Sequence, residues 1–127
     1  MKSPAELLKE AYAAFNRRDI DGVVALMIAG VDWPNGMEGG RVHGREEVRA
    51  YWTRQWAVVD PHVEPVRIVE RDSGDTAVEV HQVVRDLAGK ILADQMVLHV
   101  YRIREGLIER MDVRDPGAAP AQYNCAQ

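Results

Sequence analysis

The first helix is predicted from the spacing of apolar residues near the start of the chain. In the segment SPAELLKEAYAAFN, Leu8 and Tyr12 recur at helical spacing and fall on one side of a helix. Ser3 stands in front of the segment as an N-cap, and Glu6 follows three residues later, where it completes a capping box. The pattern therefore predicts a long helix over residues 3–16.

Two shorter helical patterns follow the first one. In RRDIDGVVALM, Asp19 is the predicted cap and Met27 lies on the buried face. In HGREEVRAYWTRQWAVV, Trp52 and Trp56 lie on one stripe. The segment GVDWPNGMEGG between them is rich in turn residues, so we expect a loop with at most a short strand around residues 32 and 33.

The second half of the chain changes to strand patterns. The runs EPVRIVERD, TAVEVHQVVRD, ILADQMVLHVYRI and LIERMDVRD are separated by the short turns SGD, LAGK and REG. Short glycine-containing turns between β-rich runs predict an antiparallel meander. Helices followed by strands indicate an α+β fold, in which the helices cover one face of a curved antiparallel sheet.

The run DQMVLHVYRI has apolar side chains on both of its faces. Side chains alternate across a strand, so one face carries Gln95, Val97, His99, Tyr101 and Ile103. The other face carries Asp94, Met96, Leu98, Val100 and Arg102. A sheet with one solvated face shows a cleaner alternation. We therefore expect the helices to cover one face and a second copy of the chain to cover part of the other, which predicts a homodimer.

Composition indicates one ordinary globular domain spanning residues 1–127, with a core of about 3–115 and a loose tail over 116–127. The chain has 46% hydrophobic and 28% charged residues. The net charge is −4, and no basic patch of the kind that binds nucleic acid is present. No apolar run is long enough for a membrane helix. The single Cys125 excludes an internal disulfide and predicts a cytoplasmic location.

Three strings together resemble a known family. In their order and spacing, AYAAFNRRDIDGVVALM, VHGREEVRAYW and YRIREGLIERMDVRD resemble the SnoaL-like branch of the nuclear transport factor 2-like superfamily. Ketosteroid isomerases, polyketide cyclases and limonene epoxide hydrolase are similar. The resemblance covers roughly residues 5–115. It implies a cone-shaped, cystatin-like α+β roll, with N-terminal helices on a strongly curved antiparallel sheet and a pocket between them.

The isomerase chemistry of that superfamily does not transfer to this chain. The tyrosine of the isomerases that donates to the oxyanion falls on Ala11, with Tyr12 one place away. Their general-base aspartate falls near Trp33, with Asp32 adjacent. Their protonated aspartic acid falls on His99. All three roles are altered, so we do not expect steroid isomerisation.

Three residues remain as candidates for acid–base chemistry. The resemblance to polyketide cyclases and the epoxide hydrolase implies carboxylates on the later strands, joined in some of these enzymes by a histidine. His99 and Asp112 are the nearest matches. A shift of one residue exchanges the faces of a strand. Asp112 and Asp115 therefore both stay open as the base, or as the group that orients the imidazole.

Aromatic residues dominate the predicted ligand site, which suits a small apolar or aromatic ligand. The predicted ligand-binding residues are Tyr12, Phe15, Trp33, Tyr51, Trp52, Trp56, His81, Val97 and Tyr101. The alternative is that part of this aromatic group belongs only to the core. His81 is the second choice among the histidines.

The environment of His99 decides its role. At the open end of a pocket, the imidazole is partly hydrated and titrates near its ordinary pKa of about 6.5, where it can donate, accept or relay a proton. Fully buried in the core, it has a lowered pKa and only satisfies a neighbouring polar group.

Two functional hypotheses follow. The first is an acid–base enzyme without a cofactor, an isomerase, cyclase or hydrolase. The second is a non-catalytic ligand-binding or dimeric assembly module. The histidines have no metal-ligand spacing, so no metal is expected. An acid and a base within hydrogen-bond reach in the pocket favour the enzyme, and a filled or wholly apolar cavity favours the module.

Overall fold

The computed structural model describes residues 2–115, and the segment 116–127, predicted to be loose, lies outside the described residues together with Cys125. The elements follow the order helix, helix, strand, strand, helix, and then four strands. They are α1 (Pro4–Asn16), α2 (Ile20–Val24), β1 (Met27–Pro34), β2 (Arg41–His43), α3 (Arg45–Trp56), β3 (Val59–Glu70), β4 (Thr76–Asp86), β5 (Ile91–Arg104) and β6 (Leu107–Arg114).

Helix α1 begins at the predicted capping box. Ser3 Oγ accepts a hydrogen bond from the backbone N–H of Glu6 at 3.2 Å, and Glu6 Oε1 accepts one from the N–H of Ser3 at 3.0 Å. Leu8 and Tyr12 are buried on the apolar side of the helix. At the other end, the Asn16 amide hydrogen-bonds to the N–H and C=O of Val63 on β3. The helix is therefore fixed across the inner face of the sheet.

The strands form one curved, unclosed sheet in the order β2-β1-β6-β5-β4-β3. Strands β3, β4, β5 and β6 are antiparallel neighbours, which confirms the predicted meander and the α+β fold class. Their register places Tyr101 of β5 beside Thr76 of β4 and Met111 of β6. The centre of β5 is thus held between two long partners, directly under the helices.

Strand β1 corrects the expectation of a loop in this region. It runs over eight residues and is parallel to β6, so the sheet is not wholly antiparallel. Met27, which the helical pattern assigned to the second helix, is fully buried in this strand. The N–H of Ile108 donates to the carbonyl of Leu26 at 2.8 Å. Pairing with β6, which is distant in sequence, draws Leu26 and Met27 out of the second helix. Local hydrophobic periodicity cannot predict such a long-range contact.

The two faces of β5 differ as the alternation predicts. Val97, His99 and Tyr101 are buried on the inner, concave side. Met96 is 40% exposed on the outer side, and Leu98 and Val100 are half-buried there. The outer row lies away from the helices, as expected, and its coverage by a second copy stays a prediction. None of the described helices is long and apolar enough to cross a membrane.

Candidate functional site

A cavity lies between the helices and the concave face of the sheet. It offers about 640 Å³ of space unfilled by protein atoms, including its open mouth. Seven of the predicted site residues surround it: Tyr12, Phe15, Trp33, Tyr51, Trp52, His99 and Tyr101.

The aromatic part of the wall comes from four elements, α1, α3, β1 and β5. The Trp52 ring of α3 meets Trp33 of β1 edge-on at a centroid distance of 5.5 Å. Phe15 of α1 contacts the same ring edge-on at 5.2 Å. Edge-to-face contacts of this kind fix the orientation of each ring. The cavity therefore has a rigid, flat-sided apolar wall.

Two predicted ligand-binding residues lie behind the wall. Val97 faces inward but is fully covered and does not line the cavity. Trp56 stacks behind Trp52, with centroids 5.8 Å apart, and the guanidinium of Arg18 lies 5.0 Å from its ring centroid. These side chains support the wall from behind, which corrects their assignment as contact residues.

His81 lies on the outer face of the sheet, so it is not a pocket residue. Its Nε2 is 2.6 Å from Asp94 Oδ1, and almost half of its side-chain surface is exposed. On β4 the side chains of Val78 and Val80 point to the inner face, and His81 has the opposite parity. The alternation of side chains along β4 was therefore sufficient to predict that His81 faces away from the cavity.

Asp112 also points away from the cavity. Its carboxylate accepts hydrogen bonds from Arg41 Nη1 at 3.1 Å and from Arg110 Nε at 2.9 Å. Burial opposes ionisation, but the hydrogen bond and charge of Arg110, together with Arg41, lower the pKa of Asp112 below its ordinary value. Asp112 is therefore an anion in an ion network with Asp32 and does not contact His99.

Asp115 does not take the place of Asp112 at the cavity. It follows the end of β6, is partly buried and is not a lining residue. Its Oδ2 is buried without a hydrogen-bond partner among the described residues. The expected pairing of a carboxylate with the His99 imidazole is therefore absent from the part of the chain that the structure describes.

A chain of three hydrogen-bonded side chains replaces the expected carboxylate–histidine pair. Tyr101 Oη donates to Tyr12 Oη at 2.8 Å, and Tyr12 Oη lies 2.8 Å from His99 Nδ1. With Tyr101 donating to Tyr12, the Tyr12 proton is available to Nδ1. His99 then carries its own proton on Nε2, which bonds to no described residue.

Burial sets the protonation of this chain. His99 is 6% exposed, and desolvation lowers the pKa of its imidazole from 6.5 to about 4. Burial likewise raises the pKa of Tyr12 and of Tyr101 above the ordinary value of a phenol. Of the two environments considered for His99, the structure has the buried one with a lowered pKa, because the helix and the sheet exclude water from the imidazole. All three groups are neutral at pH 7.

Sequence reasoning missed two polar side chains on the cavity wall, Gln55 of α3 and Gln82 of β4. Gln82 has the same strand parity as the buried Val78 and Val80. A polar residue on an otherwise apolar inner face was therefore visible in the alternation. Gln55 carried no such signal, because helix α3 has polar residues around most of its circumference.

The cavity lining supplied by residues 2–115 has no ionised side chain at pH 7. Among the described residues around the cavity, none is Asp, Glu, Lys or Arg. Within residues 2–115, no group of three or more His, Cys, Asp or Glu side chains is placed to hold a metal ion. The chemistry of the site therefore rests on neutral hydrogen-bonding groups set in an aromatic wall.

The family profile of the SnoaL-like domain matches residues 8–111, which includes both the helices and the meander. The chain belongs to the SnoaL-like domain family. The matched range carries Tyr12, His99 and Tyr101, so the hydrogen-bonded chain lies within the SnoaL-like domain itself. No curated protein has a significantly similar sequence.

Solved structures of SnoaL-like shape agree with this assignment. A nuclear transport factor 2-like protein of unknown function from Burkholderia pseudomallei is 27% identical, with a TM-score of 0.78 and coverage of 91% of this chain and 92% of that one. TerC, co-crystallised with polyporic acid, is 26% identical, with a TM-score of 0.75 and coverage of 86% and 88%.

A third structure shares the fold at lower identity. It is a Mycobacterium tuberculosis protein in complex with estradiol-17β-hemisuccinate. It is 20% identical, with a TM-score of 0.75 and coverage of 88% of this chain and 93% of that one. At this identity the likeness concerns the fold alone.

Proposed function

We propose that this protein binds a flat, largely apolar small molecule in the cavity, with His99 as its main polar contact. The observation that carries this proposal is the neutral imidazole at the end of the Tyr101–Tyr12–His99 chain, set in an aromatic wall. A neutral Nε2–H is a hydrogen-bond donor, so a carbonyl oxygen on the ligand is its natural partner.

The character of the wall supports a ligand with ring systems. Trp33, Trp52 and Phe15 present ring edges and faces, and such surfaces bury flat apolar molecules with little loss of side-chain entropy. Two structural relatives were crystallised with ring-containing molecules, polyporic acid and a steroid derivative. These complexes support a ring-containing ligand here and carry no argument about its charge.

The proposal is tested with chalcone, a flat diaryl ketone, by quenching of tryptophan fluorescence. We expect saturable quenching, because Trp33 and Trp52 line the cavity. The variant Val113→Phe fills part of the cavity and should weaken binding at least about tenfold. Val66→Phe, on an exposed position of β3, is the matched control and should bind normally. Equal affinity of both variants, or no saturable quenching, would contradict the proposal.

A second candidate function, acid–base catalysis without a cofactor, is favoured by one observation. The two hydroxyls bonded in series to His99 form a path through which proton positions can shift together. With a pKa of about 4, however, His99 is a weak base at pH 7. For this reason, binding ranks ahead of catalysis.

Catalysis is tested by following the α-hydrogens of 2-tetralone in D2O by NMR. An enzyme of this class should accelerate their exchange above the buffer rate, and His99→Asn should remove the acceleration. Exchange at the buffer rate in the presence of protein that binds the ketone would assign the cavity to binding alone.

A further inference from the structure

Gln82 has a buried acceptor atom without a partner. Its Oε1 makes no hydrogen bond to any described residue, and the side chain lines the cavity. Buried polar atoms in folded proteins are nearly always paired, and an unpaired one costs free energy. The unpaired amide oxygen of Gln82 therefore lowers the stability of the protein, and a hydrogen-bond donor on a bound ligand would remove that penalty.

Gln55 leaves a second amide atom unpaired on the same cavity. Its Nε2 donates to Tyr51 Oη at 3.2 Å, and its Oε1 is buried without a partner among the described residues. Exchange of the amide O and N would satisfy one end and leave the other exposed to the cavity. Either orientation therefore leaves one hydrogen-bonding atom for a ligand.

The register of the sheet separates Gln82 from His99. Val78 of β4 lies directly opposite His99, and Gln82 is four residues further along β4. At roughly 3.3 Å per residue, the two positions are about 13 Å apart along the strand. A molecule that contacts both His99 and Gln82 must be elongated and must carry a polar group towards each end.

The neutral state of the cavity wall disfavours a charged ligand. The ionisable lining groups are Tyr12, Tyr51, His99 and Tyr101, and burial holds each of them in its neutral form at pH 7. Beyond Tyr51, Glu38 and Arg54 neutralise each other in an ion pair at 2.8 Å. A carboxylate or phenolate in the cavity would thus lose its hydration without gaining an opposite charge.

We propose that Gln82 is a ligand-binding residue that, together with His99, selects an elongated, uncharged molecule with a carbonyl at the His99 end and a hydroxyl at the Gln82 end. This inference rests on the ligand-binding function proposed above. The amide oxygen of Gln82 accepts the hydroxyl proton, and Nε2 of His99 donates to the carbonyl. Ionisation of the hydroxyl removes the first of these bonds and adds a buried charge.

Three probes test the selection on the unaltered protein: chalcone, 4-hydroxychalcone and 4-carboxychalcone, each titrated by tryptophan quenching at pH 7. We expect 4-hydroxychalcone to bind roughly three- to tenfold more tightly than chalcone, the effect of one neutral hydrogen bond. The ionised carboxylate should bind at least tenfold more weakly than chalcone. Raising the pH above the phenol's own pKa should abolish the advantage of 4-hydroxychalcone.

Gln82→Leu removes the acceptor, and Gln95→Leu is its matched control. Gln95 lies opposite Gln82 in the register of β4 and β5, but it does not line the cavity. Gln82→Leu should bind chalcone at least as well as the unaltered protein and should lose the preference for the hydroxyl. Gln95→Leu should keep that preference. Circular dichroism establishes that both variants are folded, and the probe series applies even if one of them is not.

The outcomes separate this inference from the proposed function. If chalcone binds but the hydroxyl gives no advantage, or if Gln82→Leu keeps that advantage, the role of Gln82 is overturned and ligand binding stands. Tighter binding of the carboxylate than of chalcone would overturn the selection of uncharged molecules. If none of the three probes binds, the ligand-binding function fails and this inference fails with it.

Discussion

The hydroxyl of Tyr12 bonds on both sides, to Tyr101 and to His99. Tyr12→Phe leaves both partners without their shared bond, whereas Tyr101→Phe leaves the Tyr12–His99 bond in place. An unsatisfied buried group costs about 1–3 kcal/mol. We expect Tyr12→Phe to lower the free energy of unfolding by more than Tyr101→Phe, measured by urea denaturation. Equal losses in the free energy of unfolding of the two variants would mean that the Tyr12 hydroxyl does not connect Tyr101 to His99.

The neutral His99 should make stability depend on pH. Its folded-state pKa of about 4 lies below the ordinary 6.5, so between these values the unfolded chain binds more protons than the folded one. The stabilisation is fully present above pH 6.5 and falls as the pH decreases towards 4. A shift of this size corresponds to about 3 kcal/mol.

The pH effect is measured by urea denaturation of the unaltered protein and of His99→Asn at several pH values across that window. The free-energy difference between them should change by up to about 3 kcal/mol towards acid, because Asn does not titrate. His62→Asn, on the exposed side of β3, is the control and should follow the unaltered protein. A constant difference across the window would contradict a buried, neutral His99.

Single residues were predictable where alternation was sufficient. Alternation put His99 and Tyr101 on one face of β5, and the helical stripe put Tyr12 on the apolar side of α1. The pocket between these surfaces was implied by the resemblance to the SnoaL-like family, and the structure has all three residues around the cavity. The partner of His99 was not predictable, because the Tyr12–His99 bond joins residues 87 positions apart in the chain. The assignment of Asp112 failed for a related reason. Arg110 lies two residues before it on the same strand, but Arg41 of β2 reaches it only through the pairing of β2 with β1 and of β1 with β6.

At the scale of elements, β1 joins the sheet through a short and irregular pairing. Only Met27 with Ile108 and Asp32 with Arg110 are in register, with an irregularity between them. The sequence could not predict this parallel contact, because one helix and four strands separate β1 from its partner β6 along the chain. Side chains then reinforce it. Arg41 of β2 binds Asp32, and its Nη2 donates to the carbonyl of Met111 at 2.6 Å.

Arg41→Met should therefore destabilise this edge of the sheet. Arg41 joins β2 to β1 and β6 and is about one-quarter exposed, so we expect a loss of about 1–3 kcal/mol in the free energy of unfolding. Arg67→Met breaks a largely exposed pair with Glu79 and should cost under about 1 kcal/mol. Hydrogen exchange of the β1 amides should be faster in Arg41→Met alone. Equal losses in the two variants would contradict this bridging role.

At the scale of the whole molecule, the outer row of β5 remains to be covered. Met96, Leu98 and Val100 lie on the face opposite to the helices. Complete burial of such side chains contributes roughly 1.5–3 kcal/mol each. We expect a homodimer through this face at micromolar concentration in sedimentation velocity. Leu98→Glu should give monomers, since a charge would be buried in the interface.

The control for the dimer is Leu87→Glu, because Leu87 is 64% exposed at the turn between β4 and β5. It should remain dimeric, and an unaltered protein that sediments only as a monomer would refute the interface. The cavity opens on the concave side of the sheet, whereas the proposed interface is on the convex side. Leu98→Glu should therefore bind chalcone with unchanged affinity. A parallel loss of dimer and of binding would mean that the second copy helps to form the site, and the two faces would then have to be treated as one functional unit.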